Sequence, residues 1–350
     1  MQRLAQGVYM IQTVRRVAQL ALVAVVALGC CGCAGTSGAA SSSSETTSAQ
    51  SASASAGLIS SNATDEKSSL AVSDVPANSF LQGQAGVDPE LAKQIEQAIA
   101  PLVEQAPMLV GVSVIDLPTT TSAGINDDTP FVAASMIKLV VAETFLTQAK
   151  TGAVSLDGVY TLQESDIVGG TGSFGGRGAG AQATYRELLF LMISESDNVA
   201  TNIIIDAVGM DAINAEAKRL GLTATQVNRH MMDTDAIAAG VENYVSAHDI
   251  AYLLALVHDG RFVNKESSEL VLSALEEQID QGGIVFGLPD GTAFAHKTGA
   301  LSDARHDGGI VEGTHPYVIV VLCGGEGFSA SAAEALMADI ARVVHATLVG

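Results

Sequence analysis

Three short patterns in this chain carry groups that could perform acyl transfer. Ser135-Met136-Ile137-Lys138 places a hydroxyl and an amine three positions apart, which on a helix is one face. The amine could then take the hydroxyl proton, and at a helix start the free backbone amides would favour a developing negative charge. Ser196-Asp197-Asn198 follows 61 residues after Ser135. Its second hydroxyl could relay a proton and its side-chain amide could hold a substrate amide. Lys297-Thr298-Gly299 offers a cation and a hydroxyl for a carboxylate, with a glycine that lets a ligand approach the backbone. Taken singly, each has an ordinary structural reading: a serine N-cap followed by a surface lysine, a helix-capping Ser-Asp-Asn, and an unremarkable strand end.

The elements that must position these groups follow from hydrophobic periodicity. Val87-Asp88-Pro89 opens a helical pattern that runs to about Gln105, with Leu91, Ile95, Ala98, Ile99 and Leu102 on one side. Met108 to Leu117 reads as a strand, and residues 119–130 as a turn between strands with Asn126-Asp127-Asp128 at its tip. Helices are expected over Ser135–Ala149, Tyr185–Ser194, Val199–Val208, Asp211–Leu220, Ser246–Val257, Ser267–Ile279 and Ala332–Leu348. Ala293–Lys297, Gly308–Val311 and Tyr317–Cys323 read as late strands. Residues 169–180 hold seven glycines and must be a loop. Strands joined by short turns pair antiparallel. The fold class is therefore α+β: a mostly antiparallel sheet flanked by helices, with a separate helical subdomain for the middle segment and a cleft between the two.

In this order the three patterns resemble the motif set of the penicillin-recognising serine hydrolases, the class A β-lactamases and penicillin-binding proteins. Each falls on the element it needs: helix start, interhelical loop and late strand. The resemblance runs from roughly Ala85 to Gly350. It implies a β-lactamase/transpeptidase-like fold over 81–350 and an acyl-enzyme mechanism. Ser135 would be the nucleophile, Lys138 its proton acceptor and Ser196 the shuttle to the leaving nitrogen. Asn198 would hold the substrate side-chain amide. Lys297 and Thr298, with Gly299, would grip a substrate carboxylate. The oxyanion would rest on the backbone N–H groups of Ser135 and Ala300. Arg305 is the candidate for a second carboxylate-binding cation, with His306 a weaker one.

The match has a gap. Class A enzymes carry a Glu-x-x-Leu-Asn loop whose glutamate orients the deacylating water, and here the stretch reads Asn228-Arg229-His230-Met231-Met232-Asp233. Asp233, Glu242 and His230 are possible substitutes, but each has a plain structural reading as a loop or cap residue. Acylation is expected; fast deacylation is not implied. The implied substrate is a β-lactam or a related cell-wall peptide. A D-Ala-D-Ala carboxypeptidase is the second reading and a non-catalytic surface lipoprotein the third.

Composition narrows the partners. Seventeen Lys plus Arg against 38 Asp plus Glu give a net charge of −21, the wrong balance for a nucleic-acid binder. The glycine run lacks the Gly-Lys-Ser/Thr ending of a phosphate loop, and the seven histidines show no metal-site spacing. No metal and no cofactor are expected. Arg15-Arg16 precede the 12-residue, mostly apolar run Val17–Leu28, which is too short to span a bilayer and reads as a secretory signal over 1–29. Ala27-Leu28-Gly29-Cys30 resembles a lipoprotein box, which implies a lipid on Cys30 and attachment to the outer face of the bacterial membrane. A plain signal or an uncleaved anchor stays open, and Cys31 and Cys33 lie close by. The Ser/Ala-rich stretch over 30–80 reads as a flexible tether. Cys323, in the apolar run Tyr317–Cys323, reads as a small core residue. A monomer is expected.

Overall fold

The structure, a computed structural model, describes residues 86–350. The signal expected over 1–29, the lipidation expected at Cys30 and the tether expected over 30–80 lie outside the described residues.

The first helix, α1 (Pro89–Glu104), starts where the sequence places it: Asp88 accepts from the amides of Glu90 and Leu91, and Pro89 fills the first turn. Two strands follow, β1 (Leu109–Asp116) and β2 (Thr121–Ile125), then the short β3 (Phe131–Val132). The expected turn over 119–130 thus contains a strand. Ser122, Ala123 and Gly124 have little intrinsic strand preference, and their extended form comes from pairing with β1 in the register Val112↔Ile125 to Asp116↔Thr121. A 3-10 turn (Ala134–Ile137) leads into α2 (Lys138–Lys150).

The middle of the chain is mostly helical. The hairpin strands β4 (Val159–Thr161) and β5 (Gln182–Thr184) precede α3 (Tyr185–Ser194), α4 (Asn198–Val208), α5 (Met210–Arg219), the short α6 (Thr234–Ala238) and strand β6 (Tyr244–Val245). Then come α7 (Ala247–His258) and α8 (Lys265–Glu276). The chain closes with β7 (Phe294–Ala300), β8 (Ala304–Val311), β9 (Tyr317–Gly324) and α9 (Ala330–Leu348).

The late strands β7 and β8 are longer than hydropathy alone suggests. Arg305, His306 and Asp307 sit inside β8, buried and hydrogen-bonded, so polar letters concealed a central strand. The five-stranded sheet has the order β2-β1-β9-β8-β7, with antiparallel neighbours throughout. Alternation sends Ile319, Val321 and Cys323 of β9 to one core and Val318, Val320 and Leu322 to the other. The first core packs the sheet against α1 and α9, through Ile95, Ile99, Ile340 and Val344. The second joins its other face to α7 and the helical region, through Phe145, Leu189, Ile204 and Leu253. A strand buried on both faces reads as one apolar run, which is why Tyr317–Cys323 was legible. Cys323 is free and fully buried, and burial pushes its thiol up to about 12. It is inert packing, as expected.

Candidate active site

Three elements bring the three patterns together at one cleft of about 220 Å³. Ser135, Ser196, Asn198, Thr298 and Ala300 line it, with Gly170, Glu195, Arg229, Met231, Met232 and Asp280. Ser135 is the second residue of the 3-10 turn that feeds α2. Ala134 just before it has φ 46° and Ser196 has φ 56°, both in the left-handed region that costs a non-glycine residue free energy. That two such positions flank the cleft marks a backbone shaped by its surroundings. One of the forces is visible. His306 is fully buried, and burial pulls its pKa down to about 4, so the ring is neutral. The Cys323 N–H donates to Nδ1 at 3.3 Å, so Nε2 carries the proton and donates to Val132 O at 2.8 Å. His306 therefore pins the strand that leads into Ser135 and does not line the cleft.

Lys138, on the first turn of α2, is fully buried. Its Nζ lies 2.5 Å from Ser196 O, 2.9 Å from Asn198 Oδ1 and 3.0 Å from Ser196 Oγ. Two of these partners can only accept; the third, a hydroxyl, can donate or accept. Lys297 of β7 is also fully buried. Its Nζ donates to Thr298 O at 2.8 Å and lies 3.1 Å from the same Ser196 Oγ. Two amines thus converge on one hydroxyl. Burial, reinforced by the charge of Lys297 and opposed by Asp197, holds Lys138 well below the usual lysine range. Burial brings Lys297 down to about 7. Both shifts favour the free amine, whose lone pair is what a proton acceptor needs.

The expected Ser135–Lys138 hydrogen bond is absent in this structure: Ser135 Oγ has no hydrogen-bond partner among the described residues, and Lys138 is joined to Ser196 and Asn198 instead. Such contacts can form only in the substrate complex. Ala300 lines the cleft, and its amide points away from the neighbouring strand. Leu301 N–H donates to Ala304 O at 2.8 Å, and with Gly299↔His306 and Ala300↔Arg305 as partners, the antiparallel alternation turns the Ala300 N–H away from β8. β7 is the sheet edge, so that amide is free to face the cleft.

The Ser196-Asp197-Asn198 turn is held by the glycine-rich segment. Thr171 Oγ1 donates to Ser196 O at 2.7 Å, Asn198 N–H donates to Thr171 O at 3.0 Å, and Asn198 Nδ2 donates to Gly169 O at 3.2 Å. Asp197 caps α4 by accepting from Ala200 N at 2.8 Å, and its other oxygen accepts from Phe174 N at 2.7 Å. The segment lies so close that a Cβ on Gly170 would sit 2.3 Å from Asn198 Nδ2. It borders the cleft, as the sequence suggested.

The proposed stand-ins for the missing glutamate are all engaged elsewhere. Glu242 forms an ion pair with Arg229 at 2.5 Å. Asp233 caps α6 through Ala236 N at 3.0 Å. His230 pairs with Asp206 at 2.8 Å on the surface. From that side the cleft receives Met231 and Met232, together with the Arg229 side chain.

Two cleft carboxylates escaped the sequence analysis. Glu195 precedes Ser196 and has no side-chain partner among the described residues. Asp280 sits on the loop between α8 and β7, and no motif marks it. Its Oδ2 accepts from Thr298 Oγ1 at 2.9 Å and from Arg305 at 2.7 Å, and its Oδ1 accepts from Arg305 at 2.8 Å. Arg305 also donates to Glu334 at 3.0 Å and is absent from the cleft lining. Its candidacy as a free carboxylate-binding cation is therefore corrected: its guanidinium is already claimed by two protein carboxylates.

Comparison with known proteins agrees with this geometry. Residues 92–348 match the model of a family described as the beta-lactamase enzyme family. A β-lactamase of Streptomyces albus G is 26% identical over 264 residues, covering 72% of this chain and 84% of the relative. Among solved structures, a β-lactamase from Sphaerobacter thermophilus is 27% identical with a TM-score of 0.65, covering 73% of this chain and 97% of its own. A PBP-A mutant solved as an acyl-enzyme complex with penicillin G is 25% identical with a TM-score of 0.66, covering 73% of this chain and 95% of its own.

Proposed function

Because the chain belongs to the beta-lactamase enzyme family and is a serine β-lactamase-like hydrolase, we propose that it opens β-lactam amides through an acyl-enzyme on Ser135. The observation that carries this reading is the convergence of the buried Lys138 and Lys297 amines on Ser196 Oγ at the edge of the cleft lined by Ser135. In the proposed sequence, Lys138 takes the Ser135 proton as Oγ attacks the carbonyl carbon. The Ser135 and Ala300 amides receive the oxyanion. As the carbon–nitrogen bond breaks, the Ser196 hydroxyl gives its proton to the nitrogen and is refilled from Lys138. The acyl-enzyme is long-lived, since the loop that would carry a water-orienting glutamate delivers Met231 and Met232. A peptidase acting on cell-wall peptides is the alternative, favoured by the same missing carboxylate. Export, a lipid anchor on Cys30 and a monomeric state belong to this proposal.

Intact-mass measurement tests it. Penicillin G and its methyl ester, each in large excess, are expected to leave an adduct on the purified protein that persists after the free compound is removed. Ser135→Ala should leave none. Absence of any adduct on the unaltered protein would defeat the proposal, and an adduct that vanishes within seconds would defeat slow deacylation.

The pH dependence follows from the lysines. Acidification protonates Lys138 and removes the base, so acylation by a neutral donor should fall as pH drops and reach its plateau well below the pH at which an ordinary lysine loses its proton. A lysine with its ordinary pKa of about 10.4 would give a rate still climbing near pH 10. A pH–rate profile of ester acylation distinguishes the two, and a continued rise to about pH 10 contradicts the assignment.

A further inference from the structure

Thr298 and Arg305 are the hydroxyl and cation that would meet an incoming carboxylate, and both are already bound to one. The Asp280 carboxylate bridges them, and its Oδ1 also accepts from Gly282 N at 3.1 Å. The side chain is held in place from several directions. Asp280 N–H donates to Gln278 Oε1 at 3.2 Å, Gln278 Nε2 donates to Ile193 O at 3.1 Å, and Ile279 N–H donates to Ser194 O at 3.1 Å. On its other side, buried Asp307 accepts from Gly283 N and Ile284 N, each at 2.9 Å. The loop is thus sewn to the end of α3 and to β8, with Asp280 facing the cleft.

Charge points the same way. Arg305 contributes one positive charge and is paired with two carboxylates, Asp280 and Glu334. Arg305 holds Asp280 well below the usual carboxylate range, so Asp280 stays ionised. Lys297, with a pKa near 7, supplies only part of a compensating charge at neutral pH. A second carboxylate placed here would face Asp280 across a partly buried site, and like charges so placed repel strongly.

We propose that Asp280 is a specificity-determining residue: its carboxylate fills the place of a substrate carboxylate between Thr298 and Arg305, so the cleft selects acyl donors that are neutral or cationic beside the scissile nitrogen. This rests on the acyl-transfer reading and narrows it. It disfavours a carboxypeptidase, whose substrates end in a carboxylate at that place. Donors blocked or extended at that carboxyl become the preferred class.

The test measures binding without acylation. In the Ser135→Ala protein, calorimetry with penicillin G and with its methyl ester compares one scaffold with and without the charge. The ester is expected to bind at least about tenfold more tightly than the acid. Adding Asp280→Asn, or Asp280→Ser should the first variant fold poorly, is expected to reverse the preference. Tighter binding of the acid with Asp280 in place overturns the proposal. So does a ratio that neither Asp280 variant moves, and so does failure of the ester to bind. Whether the unaltered protein forms an adduct is read separately, so loss of the acylation reading and loss of this one remain distinguishable.

Discussion

Replacing Lys138 with methionine is expected to slow acylation of Ser135 by about a thousandfold, the middle of the range for removing a positioned general base. Methionine suits the site because it fills the space of the lysine stem without an amine. Lys138 is completely buried, so the change adds no exposed surface. What is lost is the amine that would take a proton from Ser135 and reload Ser196, whose Oγ lies 3.0 Å away. Lys297 cannot replace it, because its nitrogen is engaged with Thr298 O at 2.8 Å and reaches the network only through Ser196. The rate of adduct formation with penicillin G methyl ester, followed by mass, is the measurement, and circular dichroism checks that the fold is kept. A variant that acylates within about tenfold of the parent would show that the proton leaves Ser135 by another route.

Legibility in the sequence tracked how local the cause of each feature is. Asp88-Pro89 and the apolar stripe of α1 are local signals, and the helix lies where they put it. The three motifs were legible because each is a run of adjacent residues on one element, and the cleft unites them. The strand β2 was not, because its extended form is imposed by β1 across the register Ser113↔Gly124. The N-terminal half of β8 was hidden by Arg305, His306 and Asp307, whose burial is possible only because partners from distant segments satisfy them. Asp280 was invisible for the same reason. Nothing near it in sequence marks it, and its meaning lies in contacts with Thr298 and Arg305, 18 and 25 positions away. The Ser135–Lys138 pairing was expected from helical spacing, yet Lys138 turns to Ser196 and Asn198, 58 and 60 positions on. A side chain long enough to reach several acceptors takes the set that satisfies it best once buried, and spacing alone does not choose among them.

Gly172→Ala is expected to be the most damaging single-methyl change near the site. Gly172 has φ +109°, and a Cβ there would lie 2.2 Å from Asp197 Cγ and 2.4 Å from Asp197 Cα. The second contact is with backbone, so rotating the aspartate cannot relieve it. Strain at positive φ costs about 1–3 kcal/mol, overpacking about 1–3 kcal/mol, and disturbing the Asp197 cap about 1 kcal/mol. A loss near 4 kcal/mol is a large part of the roughly 5–15 kcal/mol that stabilises a domain. For a domain of this size it lowers the melting temperature by roughly 10 °C. Activity should fall further than stability alone explains, because Asp197 stands between Ser196, which both lysines address, and Asn198, which Lys138 also holds. Gly176→Ala provides the comparison: a methyl there would meet no atom within 4 Å and its φ is not positive, so it should melt like the parent. Thermal melts of the two variants, together with their acylation rates, decide the matter. If Gly172→Ala melts within a degree or two of Gly176→Ala, the glycine-rich segment is not what holds the Ser196 turn in place.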